Sequence, residues 1–270
     1  MFSARDAQSY TLGMGQGIGA TVTLSGTAQQ PSLLQDLTLA CDLAAGTGPS
    51  GGLVTGIRCA GQRIDVTNQG IDINAFSATS QMEGQRSVGI SIEQQQTFAV
   101  DVTPTNATDL VSASVGVDSM LGMGPIIPIN ELGFALNYAG GLGSTTINAG
   151  AAGVLTCTIL RPCTIGRVGL TIVPGAGATL FDVARLQVRS VTLNNLEYLA
   201  GASGVGTPID SVQASTYAWT ATDRDGLTLG VDASTNDVLT ISFNNTGANP
   251  VVVSGGFFCL PTIPGTGIAP

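Results

Sequence analysis

Two segments far apart in the chain share one layout. In each, a run of alternating apolar and polar residues leads into a polar turn, and a second such run follows. The first is VTPTNATDLVSASVGV (residues 102–117), and the second is FNNTGANPVVVSGGFF (residues 243–258). Apolar residues at every second position are typical of half-buried β-strands. Aligned without a gap, the matched pairs are Val100 with Ile241, Val102 with Phe243, Val111 with Val252 and Val117 with Phe258. The pattern predicts two copies of one β-unit.

The front of each unit matches as well. TVTLSGTAQQPSLLQDLTLAC (residues 21–41) aligns with AGVLTCTILRPCTIGRVGLTI (residues 152–172), so that Pro31 meets Pro162. Alternate positions on one strand share a face of the sheet, which predicts core positions for the following pairs. They are Leu37 with Val168, Leu39 with Leu170 and Cys41 with Ile172.

A third match joins IRCAGQRIDV (residues 57–66) to LQVRSVTL (residues 186–193). Each is predicted to be a strand, a tight turn and a second strand, with a longer turn in the first unit. The second unit then needs an insertion, which we place in the Gly-rich stretch at residues 197–226 that contains the only Trp.

Length and composition agree with a duplicated β-fold. The chain has 270 residues with 37 Gly and 12 Pro, and Val, Thr and Ile recur in short runs, which favours an all-β protein. DSMLGMGPIIPINELG (residues 118–133) lacks alternation and is predicted to be a linker, with the boundary near Pro125. We therefore predict two tandem eight-stranded jelly-roll β-sandwiches. Residues 1–124 form the first, with an N-terminal arm, and residues 125–270 form the second.

The charged residues restrict the chemistry that the chain can perform. All nine cations are Arg, and the sequence contains neither Lys nor His. This excludes a Lys Schiff base, a phosphate-loop Lys, Ser-His-Asp or Cys-His catalysis and an imidazole-bound metal. Charged residues make up only 10% of the chain, against about 25% in typical domains, which indicates burial in a membrane or in an assembly. The longest apolar stretch, residues 124–143, is interrupted by prolines and polar residues, so assembly is the better account.

Five cysteines stand at widely spaced positions: Cys41, Cys59, Cys157, Cys163 and Cys259. We interpret them as small core residues of a protein assembled in a reducing cytoplasm, and leave open a disulfide between Cys157 and Cys163. The spacing lacks the paired knuckles of a tetrathiolate zinc site. MFSARDAQSY at the start has no basic stretch followed by an apolar one, so we expect no secretory signal.

Several motifs have an ordinary structural interpretation. GMGQGIGA (residues 13–20) is not followed by a helix, so it predicts an arm that runs along a neighbour and no nucleotide cofactor. TDRDG (residues 222–226) is interpreted as an Asp-Gly turn in preference to a calcium site. Residues 106–108 and 244–246 fit the glycosylation pattern but occupy equivalent turns. The second unit also holds a set of arginines, Arg161, Arg167, Arg185 and Arg189, for which salt bridges are expected in place of nucleic-acid contacts.

With its duplicated β-pattern and the closing FNNTGANPVVVSGGFF, the chain resembles the double jelly-roll major capsid proteins of tailless icosahedral viruses, the lineage of membrane-containing bacteriophages and adenovirus hexon. The resemblance implies a structural virion protein, assembled in the host cytoplasm, whose homotrimers have a pseudo-sixfold outline and tile the shell. It implies neighbouring trimers and minor capsid proteins as partners, and leaves open an internal membrane. It implies no enzyme activity, no catalytic residue, no cofactor and no metal.

Two alternatives stay open at this point. One is a single-jelly-roll minor capsid or vertex protein, should the match between the fronts of the units be coincidental. The other is an extracellular two-domain β-sandwich adhesin or carbohydrate-binding protein, for which the loop with Tyr217 and Trp219 would be the aromatic platform. A glycosidase would need paired carboxylates, and nothing in the sequence pairs them.

Overall fold

The computed structural model describes residues 7–16, 21–42, 52–76, 87–104, 110–119, 138–200, 207–208, 215–216 and 227–260. In its first half the strands are β1 (Ala7–Gln16), β2 (Val22–Thr27), β3 (Ser32–Asp42), β4 (Gly52–Cys59), β5 (Gln62–Arg63), β6 (Ile71–Asp72), β7 (Ser87–Ile92), β8 (Thr97–Pro104) and β9 (Leu110–Ser119). One 3-10 turn, Ile73–Phe76, follows β6.

The second half continues with β10 (Ala139–Ile147), β11 (Ala152–Thr158), β12 (Cys163–Pro174), β13 (Leu186–Leu193), β14 (Leu196–Ala200), β15 (Thr207–Pro208), β16 (Ser215–Thr216), β17 (Leu227–Ala233), β18 (Val238–Asn245) and β19 (Val251–Leu260). A single helical turn, α1 (Leu180–Val183), lies between β12 and β13.

The two halves have the same sheet topology. In the first half one sheet has the order β1-β9-β3-β7, and the other has the order β2-β8-β4, with β5 and β6 both paired to β4. In the second half the order β10-β19-β12-β17 repeats the first sheet, and β11-β18-β13-β14 repeats the second. This order, in which the first strand pairs with the last, is that of an eight-stranded jelly roll. The predicted pair of tandem jelly-roll sandwiches is confirmed, and the single-jelly-roll fold does not apply.

Irregularities of the strands are duplicated too. The register shifts in β1 between Thr11 and Gly13 and in β10 between Gly141 and Gly143. In β4 it shifts between Val54 and Gly56, and its counterpart β13 has a shift between Val188 and Ser190. A further shift follows Leu34 in β3 and Ile165 in β12. Because β-bulges re-aim the strand that contains them, matching bulges give the two sandwiches matching curvature.

Each sandwich has its own core built from alternating residues. Along β8 and β18 the buried positions correspond pair by pair, as the ungapped alignment predicts: Phe98 with Leu239, Val100 with Ile241 and Val102 with Phe243. Leu37, Leu39, Val168, Leu170 and Ile172 are buried as predicted, whereas the side chain of Cys41 lies outside the described residues. Each large apolar side chain that is fully buried stabilises the fold by about 1.5–3 kcal/mol relative to an exposed one.

Two details of the predicted repeat are wrong. LQVRSVTL is one strand, β13, and its turn comes later at Asn194, so it corresponds to β4 with its turn at Ala60 and Gly61. The bulge in β13 interrupts the alternation and imitates a turn in the sequence. In the last strand the alignment slips by one residue, because Leu37 lies opposite Val115 whereas Val168 lies opposite Phe257. The glycines at 255 and 256 carry no side chain that could fix the phase of the pattern.

The predicted arm and insertion are partly ordered into sheets. Residues 13–16 belong to β1 and pair with β9, so this part of the Gly-rich start is a strand of the first sandwich and not an arm. Within the predicted insertion, β14 and β15 pair with β13, and β16 pairs with β12. The predicted boundary at Pro125 lies outside the described residues and stays a prediction.

Candidate functional site

The most elaborate group of contacts in the described residues joins the two sandwiches. Residues 64–72, which we call the strap, leave the first sandwich after β5 and run along β10 of the second. The amide of Val66 donates to the carbonyl of Ala139 at 2.8 Å, and the amide of Tyr138 donates to the carbonyl of Ile64 at 2.8 Å. β10 is the edge strand of its sheet and pairs with β19 on its other side. The strap therefore provides hydrogen-bond partners for backbone groups of β10 that would otherwise lie at an open sheet edge.

Two side chains of the strap bind the backbone of the second sandwich. Thr67, which is fully buried, donates from its hydroxyl to the carbonyl of Gly141 at 2.9 Å and accepts from the amide of Gly141 at 2.7 Å. The Oδ1 atom of Asn68 accepts from the amide of Thr158 at 2.8 Å. These bonds fix the strap in one register on the second sandwich.

Glycines allow the strap to approach this closely. A Cβ atom on Gly141 would lie 2.1 Å from the carbonyl carbon of Gly70, and one on Gly140 would lie 2.7 Å from Cγ2 of Thr67. No side chain fits at Gly141, since real Cβ atoms do not come that near to backbone, and a Cβ on Gly140 would also lie 2.3 Å from the ring of Phe257. The run of glycines in this strand is the sequence signal that could have revealed a close backbone approach.

Aromatic residues close the junction on the side of the first core. Phe76 comes from the 3-10 turn of the first sandwich, whereas Tyr138 and Phe258 come from the second half, and all three are buried. The ring centroids of Phe76 and Phe258 are 5.8 Å apart, and those of Tyr138 and Phe258 are 5.5 Å apart, both in edge-to-face arrangements. Such pairs add about 0.5–1.5 kcal/mol to the burial of their area. Phe258 therefore belongs to the core of the opposite sandwich.

The buried charges of the junction are all partnered. Asp65, which is 4% exposed, accepts from the amide of Ile57 at 3.0 Å and forms an ion pair with Arg63. The hydrogen bond that the Arg63 guanidinium donates to the Asp65 carboxylate raises the pKa of Arg63. From the second sandwich, the guanidinium of Arg161 donates to the carbonyl of Asp65 at 2.9 Å, and burial lowers its pKa. Asp72 accepts a hydrogen bond from Ser254. Breaking the junction would remove the bond from Arg161 to the Asp65 carbonyl and the bond from Ser254 to Asp72, which is costly for buried groups.

A second feature is the outer face of the sheet β11-β18-β13, which we call the threonine face. Its rows, read across the three strands, are Thr158 and Val238; Thr156, Thr240 and Thr192; Val154, Ser242 and Ser190; and Ala152, Asn244 and Gln187. The hydroxyls of Thr156 and Thr240 lie 3.0 Å apart in a hydrogen bond. Val154 is 54% exposed and Val238 is 38% exposed. In the strands of this sheet, including the neighbouring β14, the charged residues are Glu197 and Arg189.

The corresponding face of the first sandwich carries charges that neutralise each other. Arg58 on β4 and Asp101 on β8 form an ion pair at 2.6 Å, and Thr23 donates to Asp101 at 2.6 Å. By the register of the two sheets, Thr192 and Ser242 occupy the equivalent positions on the threonine face. The rows of the threonine face thus hold no charged residue, with Arg189 in the β13 bulge and Glu197 on β14 at its border, and the other face is internally compensated.

Only some of the residues singled out from the sequence lie in the described part of the structure. Tyr217, Trp219 and residues 222–226 lie outside the described residues, as does the turn at 105–109. In the turn at 246–249 the buried side chain of Asn245 accepts from the amide of Gly247 at 2.9 Å, in keeping with the turn interpretation. Among the described residues Arg58 forms an ion pair with Asp101 and Arg63 forms one with Asp65, while salt bridges of the second unit's arginines stay a prediction.

The described cysteines are free thiols. Burial raises the pKa of Cys59 to about 11 and that of Cys157 to about 12, and it also raises the pKa of Cys259, which hydrogen bonds to Cys163. No cluster of three or more His, Cys, Asp or Glu side chains suited to a metal ion occurs in the described ranges. Nor does that part of the chain contain a helix of the length and apolarity needed to cross a membrane.

No family model and no curated protein matches the chain. Among solved structures it is similar to the major capsid protein P2 from bacteriophage PM2, with 8% identity and a TM-score of 0.42 over 94% of this chain and 98% of that one. A second, weaker similarity is to the ANX1 ectodomain from Arabidopsis thaliana, with 7% identity and a TM-score of 0.23 over 95% of this chain and 89% of that one. Both TM-scores are low, so we base the functional proposal on the sheets and the junction of this chain.

Proposed function

We propose that the chain is a structural viral protein, the major capsid protein of an icosahedral bacteriophage. In this proposal it works without catalysis or a cofactor, and it self-assembles as homotrimers of pseudo-hexagonal outline that tile the shell. The observation that carries the proposal is the same jelly-roll topology found twice, with matching bulges, in sandwiches that a buried junction holds together.

The duplication supports a tiling subunit for a geometric reason. Three copies of a chain with two like sandwiches place six like sandwiches around one axis, which gives a nearly hexagonal unit. Hexagonal units cover a surface by lateral contacts alone, provided that the two sandwiches of each chain keep a fixed relation. The strap fixes this relation, because Thr67 binds the second sandwich through two buried hydrogen bonds and Asn68 through an exposed one.

The surface chemistry supports lateral packing. A net charge of −9 with few cations would make copies repel each other if the contacting faces were acidic. Two outer sheet faces avoid this repulsion, since the rows of the threonine face hold no charged residue and the corresponding face of the first sandwich pairs Arg58 with Asp101. Ser, Thr and Asn side chains also cost less to desolvate than unpaired charges do.

Partners and location follow from the same proposal. The trimer would contact neighbouring trimers and minor capsid proteins in the virion, after assembly in the host cytoplasm, where free thiols persist. An acidic chain without Lys is poorly suited to bind the genome, so a separate protein or an internal membrane would face it.

Native mass spectrometry and light scattering of the purified protein test the proposal. We expect a species of three 27.2 kDa chains that grows into larger assemblies as the concentration rises. A chain that stays monomeric and soluble at high concentration would contradict the proposal. A glycan-binding signal lost on Trp219→Ala would instead support the adhesin alternative.

A further inference from the structure

We infer that the threonine face is a contact surface between copies of this chain, and that its occupant is a second copy. The inference rests on the proposed function, because it names the face through which neighbouring subunits meet. It concerns the outer surface of the sheet β11-β18-β13 in the second sandwich.

The composition of the face is unusual for a surface that stays in water. Across the middle row, Thr156, Thr240 and Thr192 lie side by side on three neighbouring strands. Typical soluble surfaces are about 25–35% charged, whereas the residues in the rows of the threonine face carry no charge, and the exposed charges that border them are Arg189 in the β13 bulge and Glu197 on β14. Short β-branched and hydroxyl side chains fill the two middle rows, so that another sheet can approach closely there.

The exposed apolar side chains point to a partner at this face. In the described residues the exposed large hydrophobic side chains all belong to the second sandwich, and Val154 and Val238 lie on the threonine face itself. Covering apolar surface is favourable by about 25 cal/mol per Å², so water contact at both valines is a loss that a docked partner removes.

The charge of the chain argues that the partner is another copy. A basic partner would be attracted to carboxylates, and the rows of the threonine face contain none, while Glu197 on the bordering β14 is matched in number by Arg189 in the β13 bulge. A second copy carries a charge of −9 and is repelled by most acidic surfaces, so an uncharged or compensated face is where it can approach. The chain offers both kinds of face, the threonine face and the sheet that pairs Arg58 with Asp101.

The size of the face indicates how it is used. Three strands spaced by about 4.8 Å, each about seven residues long at about 3.3 Å per residue, give an area of roughly 330 Å². A stable interface of standard size buries about 800 Å² on each partner. One threonine face is therefore too small to hold two copies together as a tight isolated dimer. The contact is stable when each subunit makes several such contacts at once.

Insertion of one charge tests the inference. Thr156 is exposed on β11, so Thr156→Glu is tolerated by the folded chain but places a carboxylate in the contact. We expect the association constant of the assembly to fall by at least about tenfold, and Val154→Glu to act likewise. The matched control is Gln94→Glu, which adds the same charge in an exposed turn of the first sandwich, and Thr156→Ser should retain assembly.

The outcomes separate the inference from the proposed function. If the wild-type protein assembles and both Glu variants, folded by circular dichroism, assemble equally well, the inference is overturned and the proposed function stands. If both Glu variants and the Gln94→Glu control lose assembly alike, the effect is one of net charge and the inference is likewise overturned. If the wild-type protein does not assemble at all, both fail.

Discussion

Thr67 and Gly141 share two hydrogen bonds across the junction, one donated by the hydroxyl to the carbonyl at 2.9 Å and one donated by the amide to the hydroxyl at 2.7 Å. A single side chain of the first sandwich thus satisfies both backbone groups of a residue in the second. Since Thr67 is fully buried, water cannot replace these bonds while the junction is closed.

Replacing Thr67 by Val keeps the shape of the side chain and removes both bonds. Each buried backbone group left without a partner costs about 1–3 kcal/mol, so we expect Thr67→Val to lower the free energy of unfolding by about 2–6 kcal/mol. Urea unfolding followed by circular dichroism measures this change. Thr156→Val, at an exposed threonine, is the control and should change the free energy by less than about 0.5 kcal/mol. Equal effects of the two variants would show that the junction does not depend on Thr67.

Gly141 is expected to tolerate no side chain. In Gly141→Ala the new methyl group would lie 2.1 Å from the carbonyl carbon of Gly70, so the strap must move away from β10. We expect a loss of several kcal/mol and faster hydrogen exchange of the amides of Val66 and Tyr138, which bond across the junction. Gly61→Ala is the control, because its Cβ meets no atom within 4 Å and only its φ of +78° is unfavourable, at a cost of about 1 kcal/mol. Unchanged exchange at Val66 in Gly141→Ala would contradict the close approach of the strap to β10.

The buried thiols predict a loss of stability in alkali. In the folded protein the pKa of Cys59 is about 11 and that of Cys157 is about 12, whereas an unfolded thiol ionises near pH 8.5. The folded state therefore holds protons that the unfolded state releases, and its stability is complete below about pH 8 and falls as the pH rises toward the folded values. Each unit of pKa difference corresponds to about 1.4 kcal/mol.

Thermal melts between pH 7 and pH 11 check this prediction. The double variant Cys59→Ala, Cys157→Ala keeps every other titrating group, so its melting temperature should fall less steeply over that range than that of the wild type. Parallel slopes for the two proteins would mean that these thiols do not govern the alkaline transition.

Asp182 predicts a complementary loss in acid. Its carboxylate accepts from the amide of Thr179 at 2.9 Å, from the amide of Ala248 at 3.1 Å and from the side chain of Asn249 at 3.2 Å, and these bonds lower its pKa. The stability that they provide is present at neutral pH and is lost as the pH falls through the lowered pKa. We expect Asp182→Asn to be less stable at pH 7 and to lose less on acidification than the wild type does. Acid profiles of equal slope for Asp182→Asn and the wild type would contradict this role of Asp182.

The sequence was sufficient to predict the duplicated fold because its signal is local. Alternation along β8 and β18 sets the buried positions of both strands directly, from Val100 and Ile241 onward. The junction could not be predicted in this way, since Thr67 and Gly141 are far apart in sequence and no pattern within either segment indicates their contact. The bulges misled the alignment of β13 because an extra residue changes the phase of the alternation.

The candidate surfaces were predicted in part. The low charge content indicated burial in an assembly, but composition alone does not show where uncharged residues gather. The threonine face becomes visible only when register places Thr156, Thr240 and Thr192 in one row.

Negative-stain images of the purified native oligomer test the central claim most directly. If two like sandwiches per chain are held rigidly by the strap, averaged particles of three chains should show six lobes of similar size around one axis. Three separate two-lobed particles of single chains, or a ring with a number of lobes other than six, would contradict the account.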